Sequence, residues 1–197
     1  MQAVSGSSCR LSGAGVLVTR AEHQADNLCR LIRQAGGRPI RFPALQIAGP
    51  AEPSRVRYLL AHIQRYDLAV FISPNAVDRG LRLLPQGLPE TLQIAAVGRA
   101  TAAALRAGGR PADLVPTGCY DSDVLLALPE FSAVDVRRVI IFRGNGGRPL
   151  LGETLRQRGA EVDYVEIYRR LCPDVDAGPL LSHWREQVHL VTVTSSG

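Results

Sequence analysis

One pattern occurs twice in this 197-residue chain, and it limits the fold more than any single motif does. In its second copy, Val139 to Phe142 is a short apolar, largely β-branched run that reads as a buried strand. The loop Arg143-Gly144-Asn145-Gly146-Gly147-Arg148 follows, its glycines lifting the steric bar to positive φ. Pro149 suits the first turn of a helix whose apolar stripe is Leu150, Leu151 and Leu155 and which stops at Gly159. Val162 and Tyr164 then resume an extended pattern.

The first copy starts at Ala14. Val16 to Thr19 reads as a strand, Leu28, Leu31 and Ile32 line a helix, and Gly36-Gly37 ends it. Arg20 to Gly36 spans the same interval as Arg143 to Gly159, and Arg33-Gln34 falls where Arg156-Gln157 falls. Leu68 to Ser73 matches Leu190 to Ser195 with one residue of drift. This is the signature of an internal duplication of βαβ units. Alternating strands and helices with short connections imply an α/β fold with parallel sheets.

The first copy runs from Ala14 to Arg137, whereas the second starts near Arg138 and stops at Gly197, just after an apolar strand. A helix is expected there to cover that strand and satisfy its backbone. The expectation is therefore a C-terminally truncated chain with an incomplete first domain, close to inactive alone and exposing apolar faces at Val16–Val18 and Leu190–Val193.

In parallel sheets, ligands gather beyond the carboxyl ends of the strands. Those ends carry Thr19-Arg20, Ser73-Pro74-Asn75, Gly98-Arg99 with Thr101 close behind, and Thr117-Gly118. The second copy adds Arg143-Gly144-Asn145 with Arg148, and Thr194-Ser195-Ser196. All are small, polar or basic. Hydroxyls, amides, guanidinium groups and bare N–H groups at helix starts suit carboxylates or phosphates. None of these ends carries the Asp, Glu, His or Cys that a hydrolase or dehydrogenase would place there.

Composition narrows the ligand. A formal charge of +5 and a pI near 9.4 favour anionic partners. Aromatic residues make up only 5% of the chain, too few for a base-stacking platform, and the arginines are dispersed, so no nucleic-acid partner is expected. Cys9, Cys29, Cys119 and Cys172 show no ligand spacing, and the four histidines no paired spacing, so no metal site is expected. With no GxGxxG, GxxxxGK[ST] or GxSxG motif, no cofactor is expected either. Residues 1–13 read as a flexible Ser/Gly-rich start, no apolar run reaches bilayer length, and a cytoplasmic, monomeric protein is expected.

Several short motifs occur in an order that resembles the uroporphyrinogen-III synthases. They are Val18-Thr19-Arg20, Ser-x-Asn-Ala-Val at 73–77, Val-Gly-x-x-Thr-Ala at 97–102, and Arg-Gly-x-x-Gly-Arg at 143–148. Leu-x-x-x-Gly-Ala-x-Val at 155–162, Tyr168-Arg169 and Thr-Ser-Ser-Gly at 194–197 complete the series. Ala21, where a proline is common, and Pro74 within the serine turn depart from the pattern.

The resemblance implies two parallel-sheet domains joined by two extended crossings, with the active site in the cleft between them. Mapped here, domain one is 14–42 with 173–197, domain two is 47–165, and the crossings are 43–46 and 166–172. It also implies a reaction without cofactor. The linear tetrapyrrole hydroxymethylbilane, a polycarboxylate, is closed to uroporphyrinogen III with inversion of ring D and loss of water. The pyrroles expel the hydroxyl by their own electron push, so the protein has chiefly to hold one folded substrate conformation. On that view Tyr168 is the catalytic candidate, a phenol able to donate a hydrogen bond to the departing hydroxyl. The residues themselves leave open a two-lobed, non-catalytic binder of an anionic small molecule.

Overall fold

The computed structural model describes residues 10–116, 122–147 and 149–193. The chain begins with β1 (Gly15–Val18), α1 (Glu22–Gln34), β2 (Arg38–Arg41) and β3 (Gln46–Ala48). Next come α2 (Pro53–Ala61), a 3-10 turn (Ile63–Arg65), β4 (Leu68–Phe71), α3 (Pro74–Arg82), β5 (Gln93–Ala96) and α4 (Arg99–Ala107). The short helices α5 (Ser122–Leu126) and α6 (Pro129–Ser132) precede β6 (Arg138–Gly144), α7 (Leu150–Gln157) and β7 (Glu161–Leu171). Two helical turns, α8 (Gly178–Ser182) and α9 (Trp184–Gln187), lead to β8 (Leu190–Thr192).

These elements form two compact units, one of residues 1–47 with 170–197 and one of residues 48–169. The first holds a parallel sheet of order β2-β1-β8. Ala25, Cys29 and Ile32 lie on one face of α1 at helical spacing and pack onto Val16 and Val18. The second holds a sheet of order β3-β7-β6-β4-β5, in which β7, β6, β4 and β5 run parallel. Val70, Val139 and Ile141 face the core under α5, α6 and α7, while Phe71 stacks on Phe142 at 4.3 Å within the sheet.

The duplication is visible in the strand register. Leu17 pairs with Ile40 as Ile140 pairs with Asp163, and Leu17 pairs with Val191 as Ile140 pairs with Ala69. The helix stops agree as well. Gly36 and Gly159 both take positive φ, +77° and +91°, and the next N–H reaches back to Ile32 O at 2.9 Å and Leu155 O at 3.0 Å. The strand matching β4 in one copy is β8 in the other, so each unit combines segments of both copies.

Three expectations change. Val16, Leu17 and Val18 are buried, because α1 covers this sheet, whereas Leu190, Val191 and Val193 are exposed. Leu114-Val115, which reads in the sequence as a short strand, is none; Leu114 makes one isolated bridge to Ala95. Residues 180–185, which read as one helix, fall in two short turns. Residues 166–171, part of the second crossing in the sequence reading, are extended as the continuation of β7 to Leu171.

Candidate functional site

The carboxyl ends of β4, β5, β6 and β7 meet at one edge of the larger sheet. At β4, Ser73 caps α3, with its Oγ accepting the Ala76 N–H at 3.1 Å; Pro74 fills the first helical position and Asn75 follows it. Beyond β5, Gly98 stands at the N-cap of α4 in extended conformation, which leaves the first N–H groups of the helix uncapped by any side chain. Arg99 is exposed, whereas Thr101 lies on the buried face of α4, 3% exposed, and packs instead of facing a ligand. That removes Thr101 from the candidate ligand-binding groups.

A β-bulge shapes the end of β6 and β7. Arg143 pairs with Glu166, but Gly144 pairs with Tyr168, so one residue is skipped. The skip lays the Tyr168 ring onto Gly144, where a Cβ would come within 2.4 Å of the ring. Only glycine fits there. Asn145 N–H donates to Tyr168 O at 2.9 Å and fastens the loop to the strand.

Tyr168 is fully buried, and its hydroxyl lies 3.1 Å from Ser73 Oγ. A phenol so enclosed does not itself present a donor at the surface, contrary to the expectation from sequence. Ser73, half-buried, is the accessible member of the pair.

Arg143, a substrate-binding candidate by its sequence, is held largely inside the protein. It is 7% exposed, donates from Nε to Gly144 O at 3.1 Å and from Nη2 to Gly147 O at 3.3 Å, and has Glu166 at 3.7 Å. Its guanidinium lies 4.8 Å from the centre of the Tyr164 ring, and Arg156 lies 5.2 Å from the same ring. Gly146 and Gly147, at φ +69° and +95°, turn the loop back over Arg143. Sequence reasoning missed Tyr164 and Glu166; the signal was their place beside the glycine loop in the paired strand.

In the smaller unit, Thr19 Oγ1 donates to Thr192 O at 2.8 Å and Thr192 Oγ1 donates to Leu17 O at 2.9 Å. Thr19 thus joins β1 to β8, while Arg20 beside it is exposed. Arg148, Thr194, Ser195 and Ser196 lie outside the described residues, as does the Thr117-Gly118 loop. Among the described residues no three His, Cys, Asp or Glu side chains cluster as metal ligands, and no helix is long and apolar enough to cross a membrane.

Fold and site together define an α/β protein with parallel sheets whose described strand ends carry small, polar and basic residues. The profile of the family described as uroporphyrinogen-III synthase HemD matches residues 26–197. The uroporphyrinogen-III synthase of Escherichia coli K12 is 34% identical over 184 residues, which cover 91% of this chain and 75% of that protein. That of Proteus mirabilis is 33% identical over 173 residues, 86% of this chain and 87% of that one. A crystal structure of a mutant uroporphyrinogen III synthase from the extreme thermophile Thermus thermophilus shares the fold, with a TM-score of 0.64 at 21% identity over 91% of this chain and 71% of that chain. This chain belongs to the uroporphyrinogen-III synthase family.

Proposed function

We propose that this chain, as an enzyme of tetrapyrrole and heme biosynthesis, closes hydroxymethylbilane to uroporphyrinogen III at the carboxyl edge of its larger sheet. The reaction is a cyclising loss of water. The hydroxyl leaves the hydroxymethyl carbon as water, with the electron pair supplied by the nitrogen of the pyrrole that bears it. The substituted α-carbon of ring D attacks that carbon to give a spiro intermediate. The original bond from ring D to its bridging methylene then breaks and re-forms at ring D's free α-carbon, and that carbon loses its proton. The protein contributes shape, charge and one placed proton donor.

The observation that carries the assignment of residues is the Tyr168–Ser73 contact. Ser73 Oγ accepts the Ala76 N–H at 3.1 Å and lies 3.1 Å from the Tyr168 hydroxyl, a contact in which either oxygen can donate; with Tyr168 as the donor, the Ser73 proton is left for the departing hydroxyl. Tyr168 then acts through Ser73 as a positioning residue. The starts of α3 and α4, with Arg99 beside them, receive substrate carboxylates; each helix end contributes about 0.3–1 kcal/mol, so several act together. Arg20 at the start of α1 offers the same chemistry in the smaller unit.

Isomer composition tests this reading. Incubation with hydroxymethylbilane is expected to yield uroporphyrinogen III, in place of the near-inactivity expected from the sequence, whereas a non-catalytic binder of anionic small molecules leaves only the spontaneously formed I isomer. The I isomer alone would refute enzymatic closure.

A further inference from the structure

Arg143 and Tyr168 come from adjoining ends of β6 and β7 but serve opposite faces of the sheet. Arg143 continues the row of Val139 and Ile141, which packs under α5, α6 and α7. Tyr168 lies on Gly144, the next residue of β6, and therefore on the other face. On the Arg143 side there is a pocket of about 410 Å³, which none of the chemistry assigned above uses.

Its construction is specific. Ile72 and Val97, the residues just past β4 and β5, are apolar yet only partly covered, and with Leu151 they form an apolar wall. Arg143 and the Tyr164 ring complete the lining named here. Tyr164 is held by its hydroxyl, which donates to Pro149 O at 3.1 Å, and it lies flush on α7 because Gly152 has no side chain; a Cβ there would come within 2.1 Å of the hydroxyl. Arg143 is fixed by the two loop carbonyls and by the ring, and its nearest carboxylate, on the half-exposed Glu166, stays at 3.7 Å.

A pocket lined by apolar side chains and an aromatic ring, with an immobilised, almost buried cation among them, suits a ligand that is flat and apolar with an acidic arm. We infer that this pocket takes one pyrrole ring of the tetrapyrrole, with a carboxylate arm on Arg143, while the reacting end of the substrate lies at Ser73 on the other side of β6. The inference rests on the function proposed above. The volume holds one ring and not four, so the rest of the chain passes over the loop 144–147. Anchoring a ring away from the reacting carbon restricts the ways in which the substrate can fold, and so contributes to the choice of isomer.

Two measurements test it. Val97→Phe fills the pocket from a partly exposed position and leaves Ser73 and Tyr168 untouched. KM for hydroxymethylbilane is expected to rise about tenfold or more, with kcat within about twofold. An unchanged KM in a variant with wild-type melting would overturn the inference. Independently, the wild-type protein is titrated with a monopyrrole bearing acetate and propionate arms while the methyl resonances of Ile72, Val97 and Leu151 are followed. Saturable shifts at these methyls, abolished by Arg143→Gln, are expected; no shifts, or shifts that survive Arg143→Gln, overturn it. Production of the III isomer by the wild-type protein is scored separately, so failure of the pocket is distinct from failure of the functional reading.

Discussion

The hydroxyl of Tyr168, in the interior, lies 3.1 Å from the hydroxyl of Ser73 at the start of α3. The two side chains belong to elements far apart in sequence, and the proposed mechanism has them act as a unit. Tyr168→Phe and Ser73→Ala are each expected to lower kcat about 10- to 100-fold with little change in KM, as loss of a hydrogen bond to developing charge does. In the double variant the losses should not multiply. Steady-state kinetics of the three proteins check this, and multiplicative losses would show that the two hydroxyls act separately.

Gly144→Ala should be more damaging to the fold than an ordinary strand substitution. The added methyl meets the Tyr168 ring in a packed interior, and overpacking of this kind costs about 1–3 kcal/mol. Thermal melting is expected to fall by several degrees, and Tyr168→Phe, which keeps the ring, should not rescue it.

Asp113 gives a pH-dependent contribution. Burial alone would raise its pKa, but hydrogen bonds from Arg110 and from the Ile94 N–H outweigh that, and the net shift is downward. A depressed carboxyl pKa stabilises the fold above its unfolded value, near 4, and that contribution is lost as pH falls through the lower folded value. Stability should therefore decline on acidification below about pH 4, with a shallower decline in Asp113→Asn. Denaturant melts from pH 3 to pH 7 make the comparison; equal slopes would remove Asp113 from the account.

Val136 adopts φ +54° and is 82% exposed. A β-branched residue in that region is strained, and its side chain buries almost nothing in return. Val136→Gly is expected to stabilise the protein by about 1 kcal/mol, the relief of strain exceeding glycine's greater chain entropy. An unchanged or lower melting temperature would contradict this.

Much of the architecture was legible because βαβ units announce themselves locally. The strand at Val139–Phe142, the stop at Gly159 and the motif at Ser73 follow from nearest neighbours along the chain. The bulge between Arg143 and Gly144 was not legible, since it depends on how two strands meet. That bulge shapes the site: it lays Tyr168, which the sequence places in the second crossing, onto Gly144. The burial of Arg143 was not legible either, because nothing in its local sequence shows that the loop folds back on its guanidinium. Thr101 was read as a loop-end hydroxyl, but helical phase turns it inward.

The exchange of equivalent strands between the two halves of the chain bears on its synthesis. The larger unit can assemble as soon as β7 has left the ribosome, because its strands form one uninterrupted stretch. The β1-α1-β2 segment is made first yet has to wait for β8, with Leu17 pairing to Val191 across almost the whole polypeptide. At about 5–20 residues per second, that wait is on the order of ten seconds. During it the edge of β1 has no native neighbour, and a nascent chain in that state is where molecular chaperones would be expected to bind.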